Sequence, residues 1–491
     1  MPHSAPECLV KFDKSMANRK STIYVVLFIA EIEMLFYSGI LYGLNVLIPS
    51  LKREKYFFDL CSPMLHSANA SCVKQNQLFG YNLITGITAF SISSLPLGIF
   101  FDKFGYKYTK IFCSLLCFFG CLLFALSSVI KSEMLFPAML VLGVSAQSLA
   151  VCNLPLGGLV PDHETLIVAL YVGSFDTSVI VFIFINLTYL SGFSLLASFL
   201  IMAFTGLALM ELDAFLLMGA VDQIKAKPLK SFTSNNKIGM EDIASVTDEV
   251  QASGAVIKEP VVVDKGSDKD TLANLNAYRD SIYPGLKQIL SSRYFLIQLM
   301  FYIIVFFRFS FFLAQLSIQL DTGFVSNHNM VLYLLSVSSY FFMTSIGIAP
   351  ISGIIVDALK ARIKPMTDPV QLYKTTLSTF GIPLIICCVT NELMAIFIVV
   401  AENWAIYIAY MSLTVARAFL FTLTASFILT AFPVKYFGML FGITVTTGGV
   451  ISFIQYALLI NDLTSLNIVN YVLIAISAFT FVHPILLLIK L

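Results

Sequence analysis

Apolar runs of about 20 residues or more, the length a helix needs to cross the hydrocarbon of a bilayer, recur twelve times along this chain. They fall at about 22–48, 79–101, 109–129, 134–159, 165–190, 195–219, 293–320, 329–357, 375–400, 404–431, 436–461 and 467–490. Hydrophobic residues make up 58% of the 491 and charged ones 12%, against about 25% charged in an ordinary globular domain. Helices so poor in charge are apolar on every side and face lipid rather than water. The sequence therefore excludes a water-soluble enzyme and predicts an all-α membrane protein with twelve transmembrane helices. The first run is too long for a secretory signal and carries Glu31 and Glu33, so it is expected to remain as helix 1.

Thirty Lys and Arg balance twenty-nine Asp and Glu, for a net charge of +1, which gives no electrostatic basis for nucleic-acid binding. Their distribution carries the topology. With the N-terminus inside, twenty-three of the thirty basic residues fall in the tails and in loops after even-numbered runs, five fall outside, and Arg308 and Arg417 lie within runs. This bias predicts cytoplasmic N- and C-termini. The long external segment, 49–78, holds Cys61, Cys72 and the sequon Asn69-Ala70-Ser71, so a disulfide and a glycan at Asn69 are expected in a secretory-pathway membrane, most simply the plasma membrane.

Between about 220 and 292 the Phe- and Leu-rich runs give way to charged, Ser, Thr and Asn residues, the composition of a solvated linker. It divides the chain into a cytoplasmic tail (1–21), an N-terminal six-helix bundle (22–219), a cytoplasmic linker (220–292) and a C-terminal bundle (293–491). A repeat supports the division. Gly98-Ile-Phe-Phe-Asp102 ends run 2 and Gly353-Ile-Ile-Val-Asp357 ends run 8, each after a Pro at 96 or 350 and each before a basic cluster.

Gly98-x-x-x-Asp102-Lys103-x-Gly105-x-Lys107 resembles the loop 2–3 signature of the major facilitator superfamily. More narrowly, Tyr56-Phe57-Phe58-Asp59-Leu60-Cys61, Gly173-Ser174-Phe175-Asp176, Arg417-Ala418-Phe419-Leu420 and Ala431-Phe432-Pro433-x-x-x-Phe437-Gly438 look like solute carrier family 43. The resemblance implies two six-helix bundles that rock about a central site, with Gly98, Asp102, Lys103, Gly105, Lys107, Gly353 and Asp357 as gating residues and Asp102 near the start of helix 11. It also implies sodium-independent, uncoupled facilitation of either purine nucleobases or large neutral amino acids, with a lean to the nucleobase members.

Ionisable groups inside runs are costly unless paired or hydrated, so they are the first substrate-site candidates. On a straight helix Glu31, Ser38 and Asn45 share one stripe while Glu33 and Tyr37 lie on another; periodicity selects Glu31, whereas the family resemblance matches Glu33 and Ser38, and both glutamates stay open. Asp176 sits midway along helix 5. Arg308 and Arg417 sit midway along helices 7 and 10, either as structural partners for anions of the other half or as a clamp for a substrate carboxylate. Gln315, below the Phe-rich segment 306–312, could pair with a purine, and Asn153 precedes Leu154-Pro155-Leu156-Gly157-Gly158, which should break helix 4. No metal-ligand cluster, phosphate-binding glycine loop or catalytic triad is evident, so no cofactor is expected, and the expected partners are a small-molecule substrate and the lipid bilayer. A non-transporting receptor or scaffold on the same fold is the remaining alternative.

Overall fold

The computed structural model describes residues 23–60, 73–225, 275, 278–320, 328–363, 366, 368–400, 402–458 and 463–489. Cys61, Asn69 and Cys72, the tail 1–21 and most of the linker lie outside the described residues. Every described span is helical, and ten helices are long and apolar enough to cross a membrane. The bent pair Val337–Met343 and Ser345–Ala361 makes an eleventh. One of the ten, Leu78–Ser127, has 50 residues. At 1.5 Å per residue it would reach about 75 Å, more than twice the hydrocarbon thickness. It turns back at Gly105 (φ 77°, ψ −176°), a backbone region that favours glycine, and a Cβ there would touch nothing, so conformation rather than space requires the residue. Twelve crossings result.

They are numbered in chain order. α1 is Ile23–Gly43, continued by Leu44–Arg53. α2 and α3 are the arms of Val73–Ser127 before and after Gly105. α4 is Leu135–Asn153, extended by a 3-10 turn, Leu154–Leu159; α5 is Glu164–Thr177 with Ile180–Leu190; α6 is Leu195–Lys225. In the second half α7 is Arg293–Gln319, α8 His328–Met343 with Ser345–Ala361, α9 Pro369–Ser378 with Gly381–Phe397, and α10 Asn403–Ala431. α11 is Phe437–Ile451 with Ile454–Leu458, and α12 is Leu463–Ser477 with Val482–Leu488. The expected break after Asn153 is thus present as the 3-10 turn.

Described helix continues into both ends of the expected linker. α6 runs on to Lys225, and residues 278–290 are folded onto the C-terminal bundle: Arg279 donates to the carbonyls of Leu429 and Thr430 at 2.7 and 3.0 Å, and Tyr283 meets the Phe432 ring. Arg279 supplies donors to carbonyls that the end of α10 leaves without intrahelical partners.

The packing is that of a protein in lipid. Arg308, Arg417 and Lys110 are among the largest fully buried side chains, while Phe28, Phe215 and Phe479 are more than 60% exposed. The halves meet along two helix pairs, α2 with α11 and α5 with α8, related by the repeat. Gly98 allows the first: a Cβ on it would lie 1.9 Å from the Gly438 carbonyl oxygen. Gly353 allows the second, where a Cβ would lie 2.6 Å from Leu166 Cα.

Candidate substrate site and gate

At the linker end of these two pairs each repeat aspartate caps a helix of the opposite half. Asp102 accepts from the backbone N–H of Gly438 at 3.0 Å and of Met439 at 2.7 Å, in the first turn of α11. Asp357 accepts from Thr165 at 3.3 Å and Leu166 at 2.8 Å, in the first turn of α5. A carboxylate there satisfies orphan amides and complements the positive end of the helix dipole. Lys360 adds a bridge to the Thr165 and Thr430 hydroxyls. Lys103 and Lys107 instead lie over the neighbouring rings of Phe104 and Tyr108 and make no contact across the halves among the described residues.

Deeper between the halves, Asp176 of α5 meets Arg417 of α10, Oδ1 to Nη2 at 3.0 Å, with both side chains 1% exposed. Ser345 of α8 donates to the other carboxylate oxygen at 3.1 Å. The guanidinium lies 4.2 Å from the Tyr42 ring centroid on α1 and 5.1 Å from that of Phe342. None of its nitrogens makes an aligned hydrogen bond within the described residues. A charge this deep is held by one carboxylate and by the faces of rings, whose quadrupole attracts a cation.

Nearby is a cavity of about 20 Å³ lined by Met34, Phe90, Leu154, Phe175, Phe421 and Phe441 among other apolar residues; of these the Phe421 ring lies 5.9 Å from the Arg417 guanidinium. All six helices that supply them, α1, α2, α4, α5, α10 and α11, reach the interface between the halves. A void of that size holds about one water. The cavity as it stands is closed to anything larger. α1 is irregular beside it, with a π turn at Met34–Ser38 and a 3-10 turn at Ile40–Gly43, and α4 is broken there. Such breaks are tolerated at membrane depth where they face protein or a cavity.

Several residues expected at the substrate face the interior of their own bundle instead. Glu33 pairs with Lys110 of α3, which also lies 3.0 Å from Asp213 of α6. Asn153 accepts from Lys110 at 2.8 Å and donates to Glu33 at 3.1 Å, and Tyr106 donates to Asp213 at 2.7 Å. This cluster ties α1, α3, α4 and α6 together. Lys110, eight residues after Asp102, is wholly buried. Tyr37 pairs with Thr205 of α6, and the Ser38 hydroxyl donates to the Met34 carbonyl. Gly39 is a packing contact, its Cβ position 2.0 Å from the Phe175 carbonyl oxygen.

Arg308 and Gln315 also bond within their own bundle. Arg308 donates to Asn470 at 2.8 Å and to the Ala395 carbonyl at 3.2 Å, and Gln315 and Asn470 exchange hydrogen bonds at 2.8 and 3.0 Å, joining α7, α9 and α12. Burial without water forces each polar group to find a partner, and the nearest are inside the bundle. Glu31 is half-buried and accepts from Ser174 of α5, so of the two glutamates it is the one outside the ion cluster.

The profile of the Major Facilitator Superfamily matches residues 35–456. The chain is 26% identical over 484 residues to Equilibrative nucleobase transporter 1 of Bos taurus, covering 93% of this chain and 94% of that one. It is 30% identical over 175 residues to Large neutral amino acids transporter small subunit 3 of Mus musculus, covering 33% of this chain and 31% of that one. Among solved structures, a bacterial homologue of the iron transporter ferroportin in its outward-facing state aligns with a TM-score of 0.54 at 14% identity, over 94% of this chain and 99% of that one. The proton:xylose symporter XylE bound to 6-bromo-6-deoxy-D-glucose aligns with 0.53 at 13%, over 96% and 95%. These two likenesses concern the fold.

Proposed function

The chain belongs to the Major Facilitator Superfamily, a family of multi-pass membrane transporters, and we propose that within it the chain is a facilitative carrier of purine nucleobases that works by alternating access without ion coupling. The reading rests on one observation: Phe421 both lines a ring-walled cavity between the halves and lies 5.9 Å from the buried Arg417 guanidinium, which makes no aligned hydrogen bond within the described residues. Phe90, Phe175, Phe421 and Phe441 offer faces on which a planar heterocycle stacks. Arg417 offers donors to its ring nitrogens or carbonyl, and Asp176 offers an acceptor to its N–H groups. The full-length likeness to a protein named a nucleobase transporter supports this choice. In the proposed cycle the side bearing the Asp102 and Asp357 caps faces the cytoplasm, and the caps release when the halves rock open there. The plasma membrane is the proposed location.

A second reading, a large neutral amino acid carrier, draws on the same pair, because a guanidinium beside a carboxylate complements the carboxylate and ammonium of a zwitterion. Liposome flux separates the two. Saturable adenine uptake, equal in both directions and indifferent to imposed sodium or pH gradients, is expected of the first. Leucine uptake with adenine silent would establish the second, and accumulation above equilibrium would refute uncoupled transport. Arg417→Lys keeps the charge but loses the planar fork, so nucleobase uptake should fall by roughly tenfold or more, the scale of one charged hydrogen bond.

A further inference from the structure

His483 in α12 is 2% exposed, and both ring nitrogens lack a partner within the described residues. Phe301 and Phe427 flank it, with ring centroids at 5.4 and 5.3 Å. The imidazole also borders a cavity of about 80 Å³ shared with Arg293, Tyr294, Ile297, Leu486 and Leu487. A buried imidazole carries at least one N–H donor, and leaving it unmatched forfeits its hydration with nothing in return. Retention of such a group beside an open cavity points to a ligand that supplies an acceptor.

The position defines the ligand. Arg293 is the first residue of α7 and is exposed, on the side of the Asp102 and Asp357 caps. Leu488 is the last residue of α12, and His483 lies five residues before it, about 7 Å along the axis. A cation thus stands at the membrane edge, a lone donor one and a half turns deeper, and apolar Ile297 and Leu486 beside them. This order of charge, donor and hydrocarbon matches the order of phosphate, ester and acyl chain in a phospholipid. We propose that the α7–α12 cavity binds an anionic phospholipid of the adjacent leaflet, with Arg293 at the net-negative headgroup and His483 donating to an ester carbonyl. Basic sites between transmembrane helices recognise acidic headgroups in this manner, at about 1 kcal/mol per Arg near the surface, or about fivefold in occupancy.

The test is native mass spectrometry of the full chain released from nanodiscs of mixed phosphatidylcholine and phosphatidylserine. The wild type should retain phosphatidylserine over phosphatidylcholine by about fivefold. Arg293→Gln should abolish the preference, and His483→Phe, which keeps a ring among rings, should lower retention of both lipids while the protein still elutes as a folded species. Should a variant fail to fold, Leu486→Trp fills the acyl end of the cavity and should displace the lipid. Equal retention of the two lipids, a preference unchanged by Arg293→Gln, or displacement of the lipid by inorganic phosphate alone would overturn the proposal and leave a hydrated cavity.

Discussion

Removing the charge of Asp102 should open the carrier on the side of the linker. The Asp102 carboxylate accepts two backbone N–H bonds across the halves, from Gly438 and Met439. In Asp102→Asn one oxygen remains and the amide nitrogen confronts the second N–H, so one charge-assisted bond is lost, about 1.5–3 kcal/mol, together with part of the dipole attraction, about 0.3–1 kcal/mol. Some of this returns as hydration once the gate opens. A net change of about 2 kcal/mol multiplies the open-to-closed ratio by about 30. Asp357→Asn acts on the same two-state equilibrium through a separate contact, so the double variant should multiply the effects. The reporter is Thr446→Cys, since Thr446 bonds Ser91 and Leu95 across the α2–α11 seam and is half-buried there while the halves are locked. Its maleimide labelling rate in a background without reactive native cysteines should rise by about the same factor as the ratio, until labelling itself limits. An unchanged rate in the double variant, with monodisperse protein, would refute the assignment of these caps as the latch.

Three further outcomes follow from the packing. Gly98→Ala should also favour the open form, because its Cβ would stand 1.9 Å from the Gly438 oxygen; the same labelling assay reads it, and wild-type rates would contradict the close approach. Lys110→Met leaves Glu33 and Asp213 without their cation and should cost about 3–5 kcal/mol, seen as a large drop in melting temperature, whereas the triple change with Glu33→Gln and Asp213→Asn should recover much of it. Gly105→Ala should cost about 1–3 kcal/mol, from backbone strain alone because no atom obstructs the Cβ, and melting temperature measures it.

The Gly and Asp of each inter-half cap were legible in the sequence because they are local, one turn apart at the end of a span and repeated in both halves, whereas the place of Asp102 near the start of helix 11 followed from the family resemblance. Asp176 and Arg417 were legible as charges inside spans, and the geometry makes them one pair. Legibility failed where the helix departs from regularity or the partner is remote. The stripe of Glu31, Ser38 and Asn45 assumes 100° per residue, and the π and 3-10 turns between Met34 and Gly43 break that phase. Lys110 follows Asp102 closely enough to be taken for a surface cation, yet its anions come from α1 and α6.

Length, apolarity and the doubled motif determined by themselves that this chain spans a membrane as two six-helix halves, because those properties depend on the bilayer as solvent and on residues near one another in the chain. Which charges face the interface and which are consumed inside a bundle was decided by the tertiary structure. Each buried ion must be neutralised by whatever opposite charge or dipole the packing brings within reach, and that neighbour need not be near in sequence.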